Sequence, residues 1–153
     1  MDFLYEPHRD AYKYPHAEFG CLGVGFHIHQ VIEMICVIRG TLRVEIAAGD
    51  GMSLLVRPGE TVVINCGTPH STIPSDNMWY MLCFIPIASL THELRPPTGM
   101  AFTELYRESG SGILSSMFEA MVKMTKTYES DESRVRLSAF ANAVMSLVMP
   151  ELR

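Results

Sequence analysis

The chain has 153 residues, of which 48% are hydrophobic and 19% charged, a balance that suits one folded domain and excludes a disordered segment. With 12 Lys and Arg against 17 Asp and Glu, its formal net charge of -5 leaves no basic surface for direct contact with nucleic acid. Any action on DNA would have to come through a part missing here.

Cys21, Cys36, Cys66 and Cys83 form no CxxC pair, so neither a structural zinc site nor a dithiol redox motif is signalled, and each is read as core filling. The N-terminus lacks a basic stretch followed by an apolar run, and no later stretch reaches membrane-spanning length. No membrane partner and a cytoplasmic, reducing setting are therefore expected.

Residues 1–19 mix tyrosine, proline and histidine without a period and read as an irregular N-terminal arm with room for one short strand, His8 and His16 lying at its surface. From Gly20 the chain changes to short apolar runs punctuated by glycine. Leu22 to His29, Ile32 to Ile38, Thr41 to Ala47, Met52 to Val56 and Thr61 to Asn65 are predicted strands. Arg39-Gly40, Gly49-Asp50-Gly51 and Pro58-Gly59 are the turns between them. A sixth strand, Met78 to Ile85, follows the Pro74-Ser75-Asp76-Asn77 turn and is apolar almost throughout, as expected of a strand buried on both faces. Strands at this spacing predict an antiparallel sandwich or barrel over residues 20–95.

The β pattern stops at His92-Glu93-Leu94-Arg95-Pro96-Pro97, and beyond Phe102 the period becomes helical. Apolar residues from Ile113 to Met124 predict one amphipathic helix over about Ser111 to Tyr128. A second starts near a cap at Ser130 or Asp131, carries Leu137, Phe140, Ala141, Val144, Leu147 and Val148 on one stripe, and ends before Pro150. The short connection predicts an antiparallel hairpin over residues 102–150, packed on the barrel as part of one structural domain. Met117, Met121, Met124, Phe140, Val144 and Leu147 form a stripe suited either to the core or, since Met side chains adapt to a partner, to a homodimer interface.

Chemistry concentrates in His27, His29, Glu33 and His70. On strands, alternation can turn such residues to one side of a sheet, and His27 and His29, separated by one residue, can present both rings from one face. Three imidazoles and a carboxylate suit a single divalent transition ion, Zn, Ni, Fe or Mn, with open positions on metals that prefer six ligands. Ligand contact or structural hydrogen bonding are the other uses of the same four residues. Trp79 offers a flat apolar face for ligand stacking, with core packing as the competing role.

His27-x-His29-x3-Glu33-x6-Gly40 resembles the first motif of the cupins, and Gly59-x5-Asn65-x-Gly67-x2-His70 the second, with Asn65 where that motif has proline and Gly20 the nearest candidate for a leading glycine. The resemblance implies a mainly β, cupin-like antiparallel barrel of jelly-roll type. A narrower resemblance runs through Phe26 to His29, Glu33 to Gly40, Pro58 to Asn65 and Thr68 to Ser71. These segments look like the N-terminal effector-sensing and dimerisation domain of AraC-type transcription regulators, in which a helical pair follows the barrel and a DNA-binding domain follows the helices. It implies that a small-molecule effector binds the barrel, with His27, His29, Glu33 and His70 at the floor of its pocket, and that the protein is not an enzyme; Trp79 is the further contact that its ring chemistry suggests. The alternative is a small metal-dependent cupin enzyme, a dioxygenase or isomerase, using the same four residues.

Overall fold

Apolar runs broken by glycine and proline turns become the strands of two facing sheets. The computed structural model describes residues 4–5, 13–47, 50–96, 105–107, 112–126 and 131–149. Its strands are β1 (Leu4–Tyr5), β2 (His16–Gly20), β3 (Val24–Ile28), β4 (Ile32–Arg39), β5 (Leu42–Ile46), β6 (Met52–Val56), β7 (Glu60–Ile64), β8 (His70–Pro74), β9 (Trp79–Ile85) and β10 (Leu105–Arg107). One sheet has the order β1-β3-β8-β5-β6 and the other β10-β7-β4-β9-β2. Pairing is antiparallel except between β1 and β3. Two short 3-10 helices, Ile87–Ser89 and His92–Leu94, precede helices α1 (Ile113–Thr125) and α2 (Asp131–Val148). The architecture is a cupin-like jelly-roll barrel followed by a two-helix hairpin.

The second sheet is buried on both faces, and β4 at its centre shows why. Ile32, Met34 and Cys36 face a core completed by Met81, Cys83 and Ile85 of β9 and by the helices. Ile35 and Val37 face the barrel interior with Leu82 and Phe84. Alternation thus sends successive β4 side chains into two different cores. The helices bring Leu114, Phe118 and Met121 of α1 and Leu137, Ala141 and Val144 of α2 to the first of these. Phe118 is fully buried there, and truncating such a ring costs about 3–5 kcal/mol.

Polar contacts fix the hairpin in place. The Ala17 amide of β2 donates to Thr125 Oγ1 at the end of α1 over 3.0 Å. The Asn142 side chain of α2 donates to the Ser89 carbonyl over 2.9 Å and accepts from the Thr91 amide over 2.8 Å. No described helix is long and apolar enough to cross a membrane.

Six predicted strands are present with small changes at their ends; the structure adds β1, β2, β8 and β10 and corrects one boundary. Residues 16–20, expected mostly within the arm, form β2 and pair with β9 along the whole strand, so the barrel begins there. β8 was hidden because His-Ser-Thr-Ile-Pro carries little apolar signal, yet it lies inside the first sheet between β3 and β5. β10, within the span expected to be helical, pairs with β7. Both helices contain their whole apolar stripes: α1 ends at Thr125, short of the expected end near Tyr128, and α2 starts and ends where expected. Expectations placed on His8, Gly49, Pro97, Phe102, Ser111, Tyr128, Ser130 and Pro150 fall outside the described residues.

Candidate functional site

The four chemistry-bearing residues meet, but they do not leave one face of one sheet. His27 on β3 and His70 at the start of β8 belong to the first sheet and are direct partners in its ladder. Glu33 comes from β4 in the second sheet, between Ile64 and Phe84. His29 stands just past the end of β3, in the turn leading to β4, so its closeness to His27 comes from that turn rather than from strand alternation. The expectation of a shared sheet face is therefore corrected: the cluster bridges the two sheets. The Gly67 amide donates to the His29 carbonyl over 2.8 Å, tying that turn to the one before His70. Gly67 has φ 72, a conformation that favours glycine.

All four residues are buried, and their ligand atoms lie within 4.8 Å of one another. Each imidazole is oriented by a backbone carbonyl on Nδ1: Gly25 for His27 at 2.8 Å, Val31 for His29 at 3.2 Å and Thr68 for His70 at 2.7 Å. A carbonyl only accepts, so Nδ1 carries the proton and Nε2 is the nitrogen each ring offers to the cluster. Glu33 Oε2 accepts from His29 Nε2 at 2.9 Å and from His70 Nε2 at 2.7 Å. Burial pushes the Glu33 carboxyl up, but the positive field of His70 and the hydrogen bonds from His29 and His70 outweigh it, holding the group well below the usual carboxylate range.

This donor set fits a divalent transition ion. With Nδ1 hydrogen-bonded outward and Nε2 turned inward, the three rings would have the tautomer and orientation that metal-binding histidines need once the Nε2 protons of His29 and His70 leave, and the carboxylate adds a charged oxygen. Exchanging the Nε2 protons for coordinate bonds would leave all three outward hydrogen bonds in place.

Beside the cluster, between the sheets, lies a cavity of about 270 Å³. His27 and Glu33 form part of its wall, with Ile35, Leu42, Leu82 and Phe84 as apolar lining. β2 closes one side with Glu18, Phe19 and Gly20, and the link to β3 adds the exposed Cys21 and Leu22. The Tyr80 hydroxyl donates to the Leu22 carbonyl over 2.8 Å. Burial first, and then the negative charges of Glu33, Cys21 and Glu18, push that phenol up to about 12.

Glu18, Tyr80 and Phe84 escaped the sequence reading. Their signal was the alternation of β2 and β9, usable only once the pairs Glu18 with Leu82 and Gly20 with Tyr80 are known. Trp79 stacks on Phe19, with centroids 5.3 Å apart and planes 12° apart, and is absent from the described lining of the cavity; Phe19 is part of that lining. Of the six residues in the helical stripe, Met121 and Val144 are fully buried within the chain, while Met117, Met124, Phe140 and Leu147 are partly buried against the same core.

No protein-family model and no curated protein matches the chain. Solved structures do. A variant of oxalate decarboxylase from Bacillus subtilis is 26% identical over 48% of this chain and 19% of its own, with a TM-score of 0.37. Another structure of that enzyme, at the same identity and coverage, concerns its Mn(II) centres. A conserved Streptococcus pyogenes protein of unknown function is 18% identical over 49% of this chain and 67% of its own, with a TM-score of 0.43. The chain thus spans about a fifth of the decarboxylase. These neighbours are cupin-fold proteins. The strand order and the buried cluster of this chain are those of a cupin-like barrel with three histidines and one glutamate beside its internal cavity.

Proposed function

We propose that this chain is the small-molecule sensing and dimerisation domain of an AraC-type transcription regulator, in which an effector occupies the barrel and shifts the arrangement of attached DNA-binding domains. The observation that carries the reading is the double duty of β2. Its Glu18, Phe19 and Gly20 line the cavity, while its Ala17 packs in the helical core and bonds Thr125 of α1. A ligand that draws β2 inward or pushes it out therefore acts on the seat of the helix pair, and a two-state arrangement of that pair is biased by the difference in ligand affinity. A homodimer through residues Ile113 to Val148 completes the scheme.

His27, His29, Glu33 and His70 would hold one divalent transition ion, which when bound supplies a Lewis-acidic anchor for an oxygen or nitrogen atom of the ligand. The chain's own residues do the rest. The apolar walls exclude water, and Tyr80 keeps its proton and fixes the link between β2 and β3.

Calorimetry and thermal shift of the whole chain against a broad metabolite panel test the sensing role. A binder that raises the melting temperature and alters the sedimentation of the dimer is expected; no binding across the panel would count against the domain as a sensor.

The second reading, a small metal-dependent cupin enzyme, is favoured by one specific observation, the inward Nε2 atoms of all three histidines. Turnover of a bound compound by the metal-loaded chain, lost in His70→Ala, would favour it over the sensor.

A further inference from the structure

The three imidazoles of the cluster are not held equally. His27 and His70 sit opposite one another in the ladder between β3 and β8, whereas His29 stands in the turn after β3, outside any ladder. Its Nδ1 contact to a backbone carbonyl is also the longest of the three, 3.2 Å against 2.8 and 2.7 Å. Its other hydrogen bond, to Glu33 Oε2, is one that an ion entering the cluster would displace. Rotation about the bond to an imidazole ring lies in a broad well, so a ring tethered by one long hydrogen bond can rock and carry Nε2 off its aim.

Phe84 supplies what the turn does not. In β9 it lies directly opposite Glu33 of β4, so the pairing that places the carboxylate also places this ring beside the histidine bound to it. The rings of Phe84 and His29 meet with planes 88° apart and centroids 5.6 Å apart, a favoured arrangement for aromatic pairs. Phe84 is buried and belongs to a strand paired on both sides, so it has little freedom to yield. We propose that Phe84 is a positioning residue of the centre: its ring fixes the orientation of His29 so that Nε2 stays aimed at a bound divalent transition ion. The inference rests on the reading of the four residues as a metal centre, to which Phe84 itself supplies no ligand atom.

Cobalt(II) added to the whole chain is the probe, with affinity read by competition against a chelator and geometry by the visible ligand-field bands. Phe84→Leu and Phe84→Met keep apolar bulk but lose the ring; each should weaken cobalt binding about tenfold and shift the bands, as loss of an outer partner of a ligand does. Phe84→Tyr, which keeps the ring, should retain both. Val44→Ala, a truncation in the same barrel-interior core and outside the cavity lining, should lower the melting temperature and leave affinity and bands unchanged. In a His29→Ala background Phe84→Leu should have no further effect, because the residue it acts through is gone. Circular dichroism checks each fold, and Phe84→Met serves where Phe84→Leu fails to fold. Unchanged affinity and bands in the ringless variants, or an equal loss with and without His29, overturns the positioning role and leaves the centre standing. No cobalt binding by the unaltered chain overturns both.

Discussion

His27 and His70 face one another across the ladder between β3 and β8, their ring centroids 4.2 Å apart and their planes inclined by 58°. Each is pinned from behind by a carbonyl only two residues away along its own strand or turn, so the pair is set by local backbone rather than by a distant partner. His27→Ala and His70→Ala should each lower affinity for a divalent transition ion by on the order of 100-fold, since losing even an orienting partner of a ligand costs about 10–100-fold. Elemental analysis after dialysis against the metal reads this, and unchanged metal content in both variants would remove the centre.

Metal uptake should release protons. Glu33 Oε2 holds N–H groups from two rings, and an ion can take its place among them only as those protons leave. Affinity should therefore fall as pH falls, and the apparent binding enthalpy should differ between two buffers of unlike ionisation heat. Identical enthalpies in both buffers would contradict the exchange.

Tyr80 links the barrel interior to alkaline stability. Its folded-state value lies above the usual 10.0, at about 12, so the folded chain holds a proton that the unfolded chain releases. Stability from this group is complete below pH 10 and is lost as pH rises from there to about 12. After allowance for solvent screening the loss should be about 1–2 kcal/mol, and Tyr80→Phe should lack it. Urea denaturation at stepped pH compares the two proteins.

Gly20 is required by that same ring. A Cβ built there would lie 2.5 Å from the Tyr80 ring, which is held at its far end by Leu22. Gly20→Ala should destabilise the chain by about 1–3 kcal/mol, typical of overpacking, and weaken any cavity ligand. Gly20→Ala combined with Tyr80→Ala should recover part of the loss if the clash is the cause. An additive double mutant would mean that the two residues act apart.

The helical stripe yields a prediction of assembly. Met117 and Leu147 keep part of their surface outside the chain's own core, unlike Met121 and Val144. Sedimentation at high micromolar concentration should show a dimer that Met117→Glu with Leu147→Glu dissociates while the fold persists. A monomer under those conditions removes the helical interface.

The barrel was legible because its strands carry local signals, periodic apolar residues and turn glycines such as Gly40, whose φ of 79 and close approach to Ser75 suit no larger side chain. The cluster was legible as a set, since spacing alone selected His27, His29, Glu33 and His70. The arrangement was not. Which sheet each residue joins depends on pairings across long separations, such as His27 with His70 and Glu33 with Phe84. The cavity wall stayed hidden for the same reason: Glu18 and Tyr80 gain meaning only when β2 is laid against β9. Trp79 drew attention by its size, yet its partner is Phe19. Asn65, standing where the motif has proline, holds its turn by accepting the Cys66 amide on its side chain over 2.9 Å.

The alternation of β4 makes the helix pair a proofreader of the site. Were β4 to slip by one residue against its neighbours, Glu33 would enter the methionine-rich layer beneath the helices and Met34 would stand among the histidines. Docking of α1 and α2 rewards one register only, because a buried carboxylate cannot be tolerated under Phe118. A chain unable to seat its helices should therefore lose not only an interface but the four-residue centre on the other side of the strand.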